Sequence, residues 1–272
     1  MTSPQNLIDR NALSLHRKRA SADALFLQRA AVDEVQDRLL MVNRAFKSPA
    51  IVTPFAQIWE DVIPGATIVP DDDTLALTPG AHDLVIHALG LHWANDPIGQ
   101  LIQCKRALMP DGLMIAAGLG GQTLHELRSC LAQAEIAISG GLSPRVAPMA
   151  DLRDLGALLQ RAGLALPVAD RVTLPVQYAS ALHLMRDLRA MGETNALTAR
   201  PGRPTKRALI DETNRLYQSH FATDKGRIAA TFEILFLTGW APSDSQPKPL
   251  RPGSASQRLS DALSTTENPL PD

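Results

Sequence analysis

The sequence predicts an α/β protein built on a doubly wound, mostly parallel sheet. Short apolar runs bounded by proline or glycine alternate with amphipathic segments of helical period. The run over residues 82–89 is nearly all apolar, as expected of a strand that is buried on both faces. This alternation is typical of a parallel sheet whose faces are covered by helices.

The first 47 residues are predicted to form a helical N-terminal segment. Residues 7–45 have helical character, and from Leu25 to Val42 apolar residues recur at intervals of three and four, with charged residues on the opposite face. From Ser48 the pattern changes to β-like runs. The α/β domain is therefore placed at residues 48–240.

Within residues 48–240, turn residues separate the predicted strands from the predicted helices. Pro110, Asp111 and Gly112, for example, form a good turn sequence. Strands are predicted over residues 50–53, 67–70, 82–89, 113–119, 169–175 and 227–237. Helices are predicted over residues 55–62, 95–108, 123–138, 151–162, 179–191 and 206–217, the last two within a helical, loop-containing insertion near residues 179–220.

Two segments differ in composition from the rest. Residues 200–207 are basic and rich in helix breakers, which is typical of a solvated loop, and contact with a partner or a polyanion is the alternative. From residue 241 proline, serine, glutamine and lysine dominate. This composition predicts an extended, proline-rich tail over residues 241–272, with a short helix near residues 257–263.

Bulk composition excludes several classes of protein. The chain has 27 Lys and Arg against 28 Asp and Glu, a net charge of -1, so no global field attracts nucleic acid. Its two cysteines, Cys104 and Cys130, lack metal-ligand spacing and cannot form a disulfide framework. No apolar run is long enough to span a bilayer, and the N-terminal region does not resemble a signal peptide. We therefore expect a cytoplasmic protein with no membrane insertion.

Tests for common catalytic motifs are negative. The sequence has no Walker motif and no Gly-x-Ser-x-Gly elbow, and His125-Glu126 lacks the second histidine of a zinc motif. No metal site is expected, and no catalytic residue is assigned. The glycines at residues 118–121 follow a predicted strand, so they either form a tight turn or cradle a phosphate.

A candidate ligand site lies between residues 70 and 96. Asp71 and Asp72 follow one predicted strand, and His92 and Trp93 follow the next. The carboxyl ends of parallel strands share the edge of the sheet where ligands bind. Asp71 could therefore accept a hydrogen bond from an adenine amine or simply cap a turn. His92 and Trp93 could line a pocket or plug the sheet edge.

Seven motifs of the sequence are distinctive when taken together. They are Asp71-Asp-Asp-x-Leu75, Asp83-Leu-Val-Ile86, His92-Trp93, Asn95-Asp96, Arg106-Ala-Leu-x-Pro-Asp-Gly112, Gly120-Gly-Gln-Thr-Leu-His-Glu-Leu-Arg128 and Gly226-Arg-Ile-x-Ala-Thr-Phe-Glu-Ile-x-x-x-Thr-Gly-Trp-Ala-Pro242. These motifs resemble those of class I S-adenosylmethionine-dependent methyltransferases. Within that superfamily the chain resembles the malonyl-acyl-carrier-protein methyltransferase of biotin synthesis and bacterial relatives of mitochondrial complex I assembly factor 5. The resemblance implies a Rossmann-like methyltransferase fold and, if the cofactor binds, contacts to it from Asp71, Asp72, His92 and Trp93.

The sequence departs from this family where the cofactor's glycine turn should be. No glycine occurs from Asn43 to Pro64, and Thr53 and Pro54 stand in the position of the turn. The acidic residue that should hold the ribose is not identifiable. The chain from Pro49 to Asp71 is also about twenty residues short, roughly one strand and one helix, so the first half of the fold is truncated.

These departures favour a degenerate methyltransferase over an active one. We expect weak or no S-adenosylmethionine binding and no other cofactor, because the lost contacts should abolish micromolar affinity. The resemblance then implies assembly or maturation through a protein partner, such as a respiratory-complex subunit or a small redox protein. Arg200, Arg203, Lys206 and Arg207 are the predicted contact residues. The alternatives are an active methyltransferase on a protein or small acceptor and, less favoured, a module that binds RNA or another polyanion.

Overall fold

The computed structural model describes residues 6–247 and 257–265. Contacts divide the chain into two compact units, residues 1–242 and residues 243–272. The first unit holds a six-stranded sheet and eight of the described α-helices. Within the second unit the structure describes a turn near Ser243 and a one-turn helix, α9 (Leu259–Ala262). Residues 248–256 and 266–272 of the predicted tail lie outside the described residues, and the predicted domain boundaries stay a prediction.

The predicted helical N-terminal segment contains two α-helices. Helix α1 (Arg10–Lys18) begins where the Asp9 carboxylate accepts a hydrogen bond from the Ala12 N–H at 3.0 Å. Helix α2 (Phe26–Val42) follows a short 3-10 turn. The sequence did not reveal the break, because it depends on a distant contact: the Ser21 N–H donates to the Ala190 carbonyl oxygen at 2.8 Å.

The sheet has the strand order β2-β1-β3-β4-β6-β5. The pairs β1–β2, β1–β3 and β3–β4 are parallel, and β6 runs antiparallel to both β4 and β5. The strands are β1 (Pro49–Val52), β2 (Thr67–Val69), β3 (His82–His87), β4 (Leu108–Leu119), β5 (Ala165–Tyr178) and β6 (Ile228–Trp240). The doubly wound α/β prediction is confirmed, with two antiparallel pairs at one end.

Both faces of the central strands are covered. Ile51 of β1 and Ile86 of β3 point into a core on one face, whereas Val52 and Val85 point into a second core on the other. All four side chains are fully buried. This burial explains why these strands appear in the sequence as continuous apolar runs.

The first half of the sheet is short. A doubly wound half usually has three strands, but here β1 and β2 are joined by a single helical turn, α3 (Ala56–Trp59). The predicted helix over residues 55–62 is thus longer than the observed one. The Trp59 indole N–H donates to the Gln28 side-chain oxygen at 2.9 Å, and both residues are buried. Helix α2 is therefore tied directly to the shortened connection.

The other predicted helices are confirmed with small shifts in their ends. They are α4 (Pro97–Ala107), α5 (His125–Ser139), α6 (Leu152–Arg161), α7 (Ala181–Ala190) and α8 (Arg207–Phe221). Strand β5 is twice as long as predicted because it pairs with β6 over nearly its whole length. Pro167 and Pro175 made a strand of this length hard to predict, because proline is rare within strands. Both prolines are tolerated here because β5 is an edge strand.

No helix among the described residues is long and apolar enough to cross a membrane. Cys104 and Cys130 are buried as free thiols. Burial raises the pKa of both thiols, to about 12 for Cys104 and about 11 for Cys130. Neither thiol has the lowered pKa of a reactive nucleophile.

Candidate functional site

The strand order reverses between β1 and β3, at the carboxyl edge of the sheet. Ligands of open α/β sheets bind at such a switch point. Phe55 follows β1, Leu89 follows β3, and Leu119 ends β4. We call this place the switch-point edge, and it is where the candidate residues Asp71, His92 and Trp93 were expected to meet.

The cavity at the switch-point edge is very small, about 10 Å³. Its lining combines apolar side chains from the N-terminal segment, from the strand ends and from the chain after α7. They include Leu25, Phe55 and Leu89, each at most 3% exposed. A space of this size holds at most about one water molecule. The N-terminal segment and the residues after β1 therefore fill the switch-point edge.

Asp71 lies at this edge, but its carboxylate is already engaged. Arg17 of α1 donates from Nη1 to both carboxylate oxygens, at 2.8 and 2.9 Å. The two side chains are only 10% and 6% exposed. Gly90 approaches so closely that an added Cβ would lie 2.7 Å from Asp71 Oδ2. Asp71 thus acts in this structure as the buried anchor of α1, whereas Asp72 is largely exposed.

His92 and Trp93 meet a buried carboxylate, that of Glu193, which lies 100 residues after Trp93 in the chain. Glu193 Oε2 accepts from Trp93 Nε1 at 2.7 Å and lies 3.2 Å from His92 Nε2. The Leu119 N–H donates to His92 Nδ1 at 3.4 Å, so Nε2 carries the proton toward Glu193. Both ring nitrogens of His92 are thus engaged within the protein.

The Glu193 carboxylate is held in its ionised form. Burial pushes its pKa upward, but the neighbouring His92, Arg17 and Trp93 outweigh burial and place the pKa below its ordinary value. A buried anion with these donors orients the two aromatic side chains. The arrangement is a rigid wall beside the switch-point edge rather than an acid–base pair open to a substrate.

A much larger cavity, about 530 Å³, lies on the other side of this wall. Trp93 and Glu193 line it together with residues of α5, α7 and the basic loop at residues 200–207. We call it the arginine-rimmed cavity, because five of its described lining residues are arginines: Arg145, Arg186, Arg189, Arg200 and Arg203.

The four predicted partner-contact residues are distributed over two places. Arg200 and Arg203 line the arginine-rimmed cavity. Lys206 and Arg207 stand at the start of α8 and are exposed to solvent. Arg200 also donates to Asp9 at 2.8 Å, which fastens the basic loop to the N-terminal segment.

The glycines after β4 form a close turn. An added Cβ on Gly120 would lie 2.7 Å from Leu235 Cγ, so the backbone packs directly on β6. Glu233 accepts from the Gln122 N–H at 3.1 Å in the same turn. A carboxylate placed there would repel a phosphate. The geometry favours the tight-turn interpretation of these glycines over a phosphate cradle.

Sequence reasoning missed Arg17, Glu193, Arg186 and Arg189. Arg17 is 54 residues from Asp71, and Glu193 is 100 residues from Trp93. No local spacing signals a pair so far apart. No group of three or more His, Cys, Asp or Glu side chains in the described part of the chain could hold a metal ion.

Curated relatives are 35–37% identical to this chain over the residues that align. Arginine-hydroxylase NDUFAF5 of Danio rerio is 37% identical over 199 residues, covering 73% of this chain and 62% of the relative. The rat protein of the same name is 36% identical over 234 residues, covering 82% and 66%. The malonyl-[acyl-carrier protein] O-methyltransferase of Laribacter hongkongensis is 35% identical over 182 residues, covering 65% and 57%.

The chain belongs to the class I S-adenosylmethionine-dependent methyltransferase superfamily. It spans 57% to 66% of the length of these three relatives. No family model matches the chain. Among solved structures, a putative methyltransferase from Bacillus halodurans is 12% identical with a TM-score of 0.47, covering 76% of this chain and 98% of that one.

The buried Arg17–Asp71 pair leads to a stability prediction. Arg17→Met should lower the free energy of unfolding by about 3–5 kcal/mol, because the buried Asp71 carboxylate loses both hydrogen bonds from Arg17 and keeps only Arg10, 3.8 Å from Oδ1. Adding Asp71→Leu should recover much of this loss, because the pair is then replaced by apolar groups. Urea denaturation of the two variants measures both effects.

The matched control is Arg44→Met, since the Arg44–Asp111 ion pair is more than a third exposed on both sides. Its loss should change stability by less than about 1 kcal/mol. Equal losses for Arg17→Met and Arg44→Met would contradict a special role for the buried pair.

Glu135 leads to a prediction of pH dependence. Its hydrogen bond and charge pair with Arg145, together with hydrogen bonds from Ser143, lower the pKa of Glu135 to about 2. Its stabilising effect should be complete above pH about 4.5, its ordinary pKa, and should disappear as the pH falls toward 2. Thermal melting of wild type and Glu135→Gln should therefore differ at pH 7 and converge near pH 2.

The control for this measurement is Glu212→Gln. Glu212 also pairs with an arginine, Arg215, but on the exposed surface of α8. Its substitution should have a much smaller effect at every pH. A difference between wild type and Glu135→Gln that is the same at pH 7 and pH 2 would contradict the role assigned to the carboxylate.

Proposed function

We propose that this chain is a degenerate methyltransferase that binds S-adenosylmethionine weakly or not at all and acts by binding a protein partner during assembly or maturation. The observation that carries the proposal is the filled switch-point edge, where about 10 Å³ is left. Pockets for small-molecule ligands and cofactors occupy about 300–1,000 Å³. As arranged, the residues at this edge do not fit the cofactor.

Two further features support this proposal. Thr53 is buried where the family's glycine turn would let the backbone approach the cofactor, and Pro54 lacks a backbone donor. Asp71 directs both carboxylate oxygens at Arg17 instead of toward a ligand. Cofactor binding would require α1 and α2 to move and the buried ion pair to break.

The names of the relatives support a function other than methyl transfer. Five of the curated relatives are named arginine-hydroxylase, although the chain is similar to methyltransferases as well. A respiratory-complex subunit or a small redox protein is the kind of partner that the resemblance suggests. The cytoplasmic location expected from the sequence is also part of this proposal, whereas the five relatives are named mitochondrial.

The proposed partner surface is centred on the basic loop. Arg203, Lys206 and Arg207 project into solvent, and the Arg207 side chain is 95% exposed. An acidic patch on a partner protein would complement these charges. Their exposure means that they can be replaced without disturbing the core.

The alternative is an active methyltransferase that acts on a protein or small acceptor. The favouring observation is that Trp93, a predicted pocket residue, does line a cavity large enough for an acceptor. The likeness to malonyl-[acyl-carrier protein] O-methyltransferases points the same way. The two functions make opposite predictions about cofactor binding.

Calorimetric titration with S-adenosylmethionine decides between them. We expect no heat of binding, or a dissociation constant above ~50 µM, because the glycine-turn and ribose contacts are lost. S-adenosylhomocysteine, titrated in parallel, should behave in the same way. A dissociation constant below ~50 µM for either compound would overturn the proposal and favour the active enzyme.

Partner binding is tested by affinity capture from native extract with quantitative mass spectrometry. The Lys206→Glu/Arg207→Glu variant should lose the specific partner retained by wild type, because reversed charges repel an acidic surface. Arg153→Glu/Lys225→Glu is the matched control, since both residues are exposed cations outside the basic loop. Capture that is unchanged in the first variant, or lost equally in the second, would argue against this surface.

A further inference from the structure

The arginine-rimmed cavity has the size of a small-molecule site. Its volume of about 530 Å³ lies within the range of about 300–1,000 Å³ that ligand pockets occupy. At roughly 30 Å³ for each water-sized group, it can hold about 15–20 non-hydrogen atoms. Neither the sequence motifs nor the switch-point edge indicates which ligand this cavity binds.

The inner wall of the cavity is apolar. Leu127 and Leu131 of α5, Leu188 of α7 and Phe232 of β6 are buried and face it. Met149 and Met185 add partly buried thioethers, which adapt to ligands of irregular shape. This wall suits an aliphatic or aromatic chain.

The rim of the cavity is strongly basic. Among its described lining residues, five are arginine and one, Glu193, is acidic. Glu193 is already committed to His92 and Trp93. Although the whole chain has a net charge of only -1, this one cavity concentrates positive charge.

Three of the five arginines are available for a ligand. Arg145 is paired with Glu135 and Arg200 with Asp9. In contrast, Arg186, Arg189 and Arg203 make no side-chain hydrogen bond or ion pair within the described residues. Guanidinium groups bind carboxylate and phosphate oxygens through two parallel hydrogen bonds.

The pKa of His16, which also lines the cavity, reflects the positive charge of the rim. Burial lowers the pKa of His16, and the charges of Arg200, Arg19 and Arg189 lower it further. His16 therefore stays neutral near pH 7 and adds no charge of its own, while the arginines leave a field that an anion would relieve.

We propose that the arginine-rimmed cavity binds an anionic amphiphile, in which a carboxylate or phosphate head contacts Arg186, Arg189 and Arg203 and an apolar chain lies against the leucine wall. The head satisfies cations that have no acidic partner in the described chain. The chain removes apolar surface from water. This proposal shares Arg203 with the proposed partner surface, but its test replaces Arg186 and Arg189 and leaves the solvent-facing cations Lys206 and Arg207 unchanged.

Titration with dodecanoate below its micelle concentration, followed by calorimetry and tryptophan fluorescence, tests the proposal. Dodecanoate and dodecyl phosphate should bind, and Trp93 in the cavity wall should report it. Dodecyltrimethylammonium has the same chain with a cationic head and should not bind. Inorganic phosphate has the charge without the chain and should bind far more weakly than dodecyl phosphate.

The variant Arg186→Gln/Arg189→Gln should weaken dodecanoate binding by at least tenfold, which corresponds to about 1.4 kcal/mol. Both residues are exposed on α7, so the fold should be retained, and an unchanged melting temperature verifies this. Arg153→Gln on α6 is the control and should bind as wild type does. Its side chain is exposed and does not line the cavity.

A second arm distinguishes a free acid from a lipid. Vesicles of phosphatidylglycerol and of phosphatidylcholine are compared in sedimentation with wild type and with Arg186→Gln/Arg189→Gln. If the protein binds soluble dodecanoate but does not sediment with vesicles, the ligand is a free acid. If it sediments with phosphatidylglycerol vesicles in a way that depends on the two arginines, the ligand is a lipid. Either result supports binding of an anionic amphiphile in the arginine-rimmed cavity.

Three results would overturn the proposal. One is the absence of binding to both soluble anions and to phosphatidylglycerol vesicles. Another is equal affinity for dodecyltrimethylammonium, which would show that the head plays no part. The third is dodecanoate binding that survives the double arginine substitution with the fold intact. None of these results depends on S-adenosylmethionine binding, so failure here is distinct from failure of the proposed function.

Discussion

The buried ion pair between Arg17 and Asp71 determines how the N-terminal segment sits on the sheet. Both carboxylate oxygens of Asp71 face one guanidinium nitrogen in a place almost closed to solvent. Such a pair is weak as a source of net stability but costly to break once it is formed. It therefore specifies one position for α1 at the carboxyl edge of β2. The Trp59–Gln28 hydrogen bond similarly fixes α2 beside the switch-point edge.

Fixing these helices has a consequence at the switch-point edge. With α1 and α2 in place, Leu25 and Leu27 join Phe55 and Leu89 around the residual cavity. A shortened first half of the sheet and a filled edge are thus two parts of one arrangement. The space that a longer strand–helix connection could enclose is occupied by side chains of residues that precede β1 in the chain, Leu25 and Leu27. The larger cavity, of about 530 Å³, lies instead beyond the wall formed by His92, Trp93 and Glu193.

The sequence was sufficient for the parts of the fold that depend on local pattern. The apolar runs of β1 and β3 lie where the sequence pattern predicted them, and the helices of the second half begin within a few residues of their predicted starts. The absence of glycine after β1 was the sequence signal that pointed to the switch-point edge. The sequence could not predict which side chains pair when they lie far apart in the chain. Nothing near Asp71 in sequence indicates that Arg17 will occupy its carboxylate, and nothing near Trp93 indicates Glu193.

For the same reason, the net charge of the chain does not predict where its charged side chains lie in the structure. A total of -1 arises from nearly equal numbers of cations and anions, but folding distributes them unevenly. Acidic side chains pair at α1, the basic loop and α5, where Asp71, Asp9 and Glu135 are matched by arginines. Arg186, Arg189 and Arg203 then remain on one cavity rim. Because a low-dielectric wall backs that rim, these charges act on a ligand more strongly than the same charges would in water. Recognition at this cavity thus depends on which cations the fold leaves unpaired, rather than on how many the sequence contains.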